Sequence, residues 1–152
     1  MEERLKVYAH ITYGTKLLVF EEDGFPEGGI RIPGGTPEPD EDLESAALKE
    51  AIEETGLKSL KLVRYLGEAL FDVSIYGLDE VHRRNFYHLE CTETPPSNWN
   101  HEELYPSIRT EKTPEYIILS LYWWDLMNGL PTLQLGLDVK LPVLMRDLGL
   151  TK

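Results

Sequence analysis

The feature that most constrains this chain is the stretch from Gly35 to Leu57, GTPEPDEDLESAALKEAIEETGL. A glycine pair at 34–35 and prolines at 37 and 39 open onto a long acid-rich segment, which Gly56 ends. The spacing predicts a helix over Asp40 to Thr55, with Leu43, Ala47, Leu48, Ala51, Ile52 and Thr55 on one broad face. Asp40 or Asp42 can accept from the first free N–H groups, and acids in the first turn suit the helix dipole. Gly56 stands where a left-handed residue closes a helix. With Leu43 placed at 0°, Glu50 falls at about 340°, Glu53 at about 280° and Glu54 at about 20°, so three carboxylates project within an arc of roughly 100°.

Carboxylates three and four residues apart repel and cost helix stability. A cation that takes oxygen ligands removes that cost, and Mg²⁺ prefers carboxylate, carbonyl and water oxygens, with Mn²⁺ accepting the same set. Gly35 lets the backbone approach closely, so a carbonyl there can join the shell. Between Gly35 and Leu57 there are eight acids against one base, Lys49, which accounts for seven of the twelve net negative charges of the chain. The negative balance argues against a general nucleic-acid binder, which needs a basic face. Bound cations reverse the local field and reconcile an acidic site with an anionic ligand.

The rest of the sequence frames this segment. Alternation over Lys6 to Tyr13 predicts a strand, and Leu17 to Phe20, Leu60 to Val73, Asn85 to Cys91 and Tyr116 to Trp124 predict others. Thr92 to Thr113, with Pro95, Pro96 and Pro106, reads as a long loop. Leucines at helical spacing predict a second helix over Leu135 to Leu148. Strands with a helix between them and one at the end imply an α/β fold, a mixed sheet flanked by helices. The 152 residues predict a single domain over 1–152. A lone cysteine, Cys91, makes no internal disulfide. No apolar run is long enough to span a membrane and no secretory pattern opens the chain, so a cytoplasmic location is expected.

The acid-rich segment resembles the signature of the Nudix hydrolase family, G-x5-E-x7-R-E-U-x-E-E-x-G-U, where U is a bulky aliphatic residue. Gly35, Glu41, Glu50, Glu53, Glu54, Gly56 and Leu57 fall on it without a gap. Lys49 stands where the family has arginine, and Ala51 is small for its position. The resemblance implies an α/β/α sandwich and Mg²⁺-dependent attack of water on the diphosphate linkage of a nucleoside diphosphate derivative. That reaction gives a nucleoside monophosphate and phosphorylated X or pyrophosphate. It further implies that Glu50, Glu53 and Glu54 act as metal ligands with a carbonyl at Gly35, one of them, Glu50 foremost, serving also as base. Glu41 is implied to pair with the residue at 49 and steady the loop. Lysine is a point charge on a flexible stem and cannot offer arginine's planar fork.

Arg64 and Arg84 are candidates for holding a substrate phosphate, Arg84 sharing a strand face with Phe86 and His88. The segment Trp99 to Glu103 is a candidate lid, with Glu102, Glu103 and Glu115 eligible as an extra catalytic acid. The markers that assign particular substrates within the family are absent: neither the downstream proline of ADP-ribose cleavers nor the SQPFPxS motif of NADH cleavers occurs. The expected partner is thus a small nucleotide or nucleotide derivative, with no membrane or nucleic acid. The oligomeric state is open, a homodimer included. A competing reading is a Nudix-fold nucleotide-binding regulator with little turnover, favoured by Lys49 alone.

Overall fold

The computed structural model describes residues 2–104 and 116–150. Seven strands form one mixed sheet: β1 (Glu2–Tyr13), β2 (Lys16–Glu22), β3 (Gly34–Gly35), β4 (Leu60–Asp72), β5 (Glu80–Cys91), β6 (Asn98–Leu104) and β7 (Tyr116–Asp125). Their order is β4-β5-β1-β2-β7-β6, with β3 against β1. β1 and β5 are parallel and every other pairing is antiparallel. Two α-helices complete the fold, α1 (Leu43–Thr55) and α2 (Leu141–Asp147).

Strand alternation sorts the core into two layers. Val7, Ala9 and Ile11 of β1, with Leu18, Phe20 and Leu89, pack beneath Ala46, Ala47 and Ala51 of α1. The opposite face carries Leu17, Val19 and Phe86 against Leu137, Leu141 and Leu144 of the C-terminal segment. The result is the α/β/α sandwich expected. A chain of contacts, buried up to its exposed Arg64 end, ties α2 to the sheet: Thr12 Oγ1 to His88 Nε2 at 2.7 Å, His88 Nδ1 to Asp147 at 2.7 Å, and Asp147 to Arg64 at 2.7 Å.

β1 and β2 pair only next to their turn, at Thr12 with Leu17 and Tyr13 with Lys16. Beyond that the segment 31–35 wedges between them. Phe20 and Arg31 exchange backbone hydrogen bonds, Ala9 N donates to Pro33 O, and Val7 and Tyr8 pair with Gly35 and Gly34. This opening delivers the glycine pair to the edge of α1. An ideal Cβ on Gly34 would lie 2.1 Å from the Tyr8 ring and 2.6 Å from the Val7 carbonyl, so only glycine fits there.

Three sequence expectations need correction. The helix over Leu135 to Leu148 begins six residues later, at Leu141. Before it, Gln134–Gly136 is a short 3₁₀ turn in which Leu135 is left-handed (φ 55°), as is Gly136 (φ 72°); that backbone cannot continue an α-helix. The loop over Thr92 to Thr113 contains β6, which pairs along its length with β7; its prolines at 95 and 96 precede the strand, and residues 105–113 lie outside the described part. Ile52, placed on the apolar face of α1, is exposed, whereas Glu54 is buried. The three alanines let α1 lie close to the sheet, and Glu54 turns inward with them.

Candidate active site

α1 starts where Asp42 accepts from Ser45 N at 3.1 Å and stops at left-handed Gly56, whose N–H donates to Ile52 O. Of the two acids eligible as cap, Asp42 is therefore the one used. Two side chains from β6 satisfy carbonyls at the helix end: Trp99 Nε1 donates to Thr55 O and His101 Nε2 to Glu53 O, each at 2.7 Å. These bonds and the β7 pairing make Trp99 to Glu103 a fixed strand and not a lid.

Glu54 meets the glycine pair directly. Its Oε1 accepts from Gly34 N at 3.0 Å, and its side chain is almost fully withdrawn from water. Glu50, half-buried, packs against Gly35: a Cβ there would lie 2.6 Å from its carboxyl carbon. The charge of Glu50 bears on Glu54. Burial, then the charge of Glu103, pushes the Glu54 carboxyl well above the usual carboxylate range. Burial, then Glu53, raises Glu50, and burial raises Glu103 while Arg31 opposes it.

Glu53 is exposed. Among the described residues no three His, Cys, Asp or Glu side chains stand close enough to form a ready-made metal cluster. The donor set nevertheless suits a divalent cation. Two carboxyls lie against the glycine pair, and the charge of a third, Glu103, bears on both. Burial, then the neighbouring carboxylates, disfavours the charged forms of Glu50 and Glu54, and an oxygen-seeking cation offsets both effects.

The other residues singled out from sequence are dispersed. Glu41 accepts from Glu38 N at 3.0 Å and so folds its own loop; Lys49 is exposed and, among the described residues, makes no ion pair with it. Arg64 lines a separate cavity with Val143, Arg146 and Asp147. Glu102 is exposed, one residue out of phase with Glu103 on β6, and Glu115 lies outside the described residues.

Glu54 and Glu103 open onto a cavity of about 200 Å³, together with Arg31 and Gly34. Tyr8, Arg84, Leu135 and Leu137 line it as well. Sequence reasoning missed Arg31, which the wedged segment carries in at its bridge to Phe20. The one signal available was a basic residue between two apolar ones just ahead of Pro33-Gly34-Gly35.

Comparison with known proteins bears on this arrangement. The sequence profile described as NUDIX domain matches residues 4–110. YtkD of Bacillus subtilis (strain 168), named provisionally as an 8-oxo-dGTP diphosphatase, is 36% identical over 81 residues, 53% of this chain and 46% of its own. The chain thus spans about half the length of that curated relative. Among solved structures, a UDP-X diphosphatase superposes with a TM-score of 0.60 at 21% identity, covering 96% of this chain and 63% of its own. A MutT Nudix hydrolase from Burkholderia pseudomallei gives 0.58 at 20% identity, covering 93% and 98%. An ADP-ribose pyrophosphatase from Streptococcus suis 89-1591 gives 0.57 at 20% identity, covering 95% and 90%. These structural likenesses share the α/β/α sandwich. With the profile running from β1 through the glycine pair, α1 and β6, the chain belongs to the Nudix family.

Proposed function

We propose that this protein is a divalent-metal-dependent hydrolase of the diphosphate linkage in a nucleoside diphosphate derivative. The observation that carries the reading is the meeting of Glu50 and Glu54 at Gly34-Gly35, at the mouth of a cavity that also holds two arginines. The names of its relatives, which act on 8-oxo-dGTP, UDP-X or ADP-ribose, agree with that substrate class.

Glu50, Glu53 and Glu54, with a carbonyl at Gly35, would hold Mg²⁺ or Mn²⁺. A divalent cation bound there supplies positive charge to the diphosphate oxygens and makes a water easier to deprotonate. The Gly34 N–H fixes the Glu54 carboxyl, so its approach needs no reorganisation. Glu50, with its raised proton affinity, takes the proton from the water that attacks phosphorus. Arg31 offers its charge to the phosphate chain, and the leaving group departs as phosphorylated X or pyrophosphate.

The test is phosphate release from nucleoside triphosphates, nucleoside diphosphate sugars and dinucleoside polyphosphates, with Mg²⁺ and with excess chelator. Turnover that survives the chelator rejects the metal requirement, and rates unchanged in Glu53→Gln and Glu54→Gln reject the assignment of the site.

Two substitutions sharpen the reading. Gly35→Ala places a Cβ against the Glu50 carboxyl. Gly35 has no positive φ, so the backbone tolerates alanine and the carboxyl must move. A displacement of this order costs about 10²-fold in kcat, with the melting temperature held. Lys49 lacks an acidic partner among the described residues, and this favours the alternative of a weakly active regulator. If the enzyme reading holds, Lys49→Arg matches or exceeds the wild-type kcat; a large fall would mean that lysine has a role of its own.

A further inference from the structure

The last turn of α1 is the part of the helix least able to hold itself. Ile52 to Thr55 contains Glu53 and Glu54 and no base. Carboxylates at a helix C-terminus meet the negative end of the dipole, and these two lie three and four residues from Glu50, which repels them. The carbonyls of Glu53 and Thr55 fall past the last backbone bond of the helix, from Gly56 N to Ile52 O, so the helix itself leaves them without a donor. The proposed chemistry nevertheless needs this turn in one place.

The donors come from β6. Trp99 Nε1 donates to Thr55 O and His101 Nε2 to Glu53 O, each at 2.7 Å. A carbonyl only accepts, so Nε2 of His101 carries the hydrogen. An ideal Cβ on Gly56 would lie 3.1 Å from His101 Nδ1, which puts the ring directly against the residue that ends the helix. Trp99, His101 and Glu103 alternate along β6 and so share one of its faces. As β6 runs from 99 to 101, its contacts on α1 step back from Thr55 to Glu53. The next residue on that face, Glu103, lines the same cavity as Glu54. β6 is itself anchored to the core, since Trp99 pairs with Leu121 and His101 with Leu119 on β7, both buried. The two bonds carry the placement of the sheet to the turn that bears Glu53 and Glu54.

We propose that His101 and Trp99 are positioning residues for cation binding: their bonds to Glu53 O and Thr55 O hold the glutamate-bearing turn of α1 in register with β6, so that Glu54 and Glu103 face one cavity. The inference rests on the metal-dependent reading above. Groups that orient metal ligands carry about 10–100-fold of metal affinity.

The experiment titrates Mn²⁺ into the metal-free protein, by calorimetry and by loss of the free-ion electron paramagnetic resonance signal, and records melting in chelator. His101→Ala should weaken Mn²⁺ binding by about tenfold or more. His101→Gln, whose amide can present an N–H near the place of Nε2, should recover most of it. Trp99→Phe keeps an aromatic ring, loses the donor, and should weaken Mn²⁺ binding in the same direction. A merely structural pair would lower the melting temperature and leave Mn²⁺ affinity alone. That result overturns the inference, as does a His101→Gln that binds no better than His101→Ala. Failure of the metal reading looks different: the wild type binds no Mn²⁺, or Glu54→Gln binds it as tightly as the wild type, and the inference falls with it. Should His101→Ala not fold, Mn²⁺ affinity unchanged in Trp99→Phe overturns the inference.

Discussion

Glu54→Gln is expected to lower kcat by about 10²–10⁴-fold with the fold intact. The substitution separates charge from position. Glutamine keeps a side-chain carbonyl that can accept from Gly34 N, so the 3.0 Å contact that holds residue 54 against the glycine pair survives. It loses only the negative charge, which the proposed function requires for holding a cation. The folded protein gains nothing from that charge in the absence of metal, because burial and Glu103 both disfavour it. The metal-free variant should therefore melt no lower than the wild type. The decisive measurements are kcat at saturating substrate and thermal melting in chelator. More than a tenth of wild-type kcat in Glu54→Gln would remove Glu54 from the chemistry. A large loss of melting temperature would mean that the carboxylate is structural.

How much of this was legible in sequence depends on which forces decide each element. The end of α1 was read to the residue and its start three residues early, because both limits are local: Gly56 ends it, and of two acids able to cap it Asp42 does, effects that act over one turn. Glu50 and Glu54 were placed on one face for the same reason. The burial of Glu54 was not foreseen, because a helical wheel gives angles but not the orientation of the helix against its sheet. At Ala46, Ala47 and Ala51 the small side chains settle that orientation, and they leave Ile52 outside. β6 was missed because Asn98–Leu104 is an edge strand, polar on its exposed side, and what fixes it is pairing with β7 and bonds to the end of α1. The early start given to α2 followed leucine spacing. Spacing does not report a left-handed Leu135, whose carbonyl is taken by Arg84 across the cavity.

Replacing His10 by leucine is expected to stabilise the protein and to blunt its sensitivity to acid. His10 lies in the middle of β1 with no exposed surface, stacked on Phe86 at 5.7 Å. Neither ring nitrogen has a partner among the described residues. An unmatched buried donor or acceptor costs about 1–3 kcal/mol, so removing the imidazole should raise stability at pH 7 by an amount of that order. Burial, with the neighbouring His88 adding to it, lowers the His10 pKa from 6.5 to about 3. Above pH 6.5 both folded and unfolded chains carry the neutral ring, and stability is whole. As pH falls below 6.5 the unfolded chain takes up a proton that the folded chain refuses until about pH 3, and stability drops by about 1.4 kcal/mol per pH unit in that window. His10→Leu abolishes this contribution and leaves Thr12, His88 and Asp147 bonded as before. Urea unfolding at intervals between pH 7.5 and 4 checks both claims, since the gap between variant and wild type must widen as pH falls. A constant gap would show that His10 is already protonated or already partnered, and a variant less stable than wild type at pH 7 would show that its stacking on Phe86 outweighs its missing hydrogen bonds.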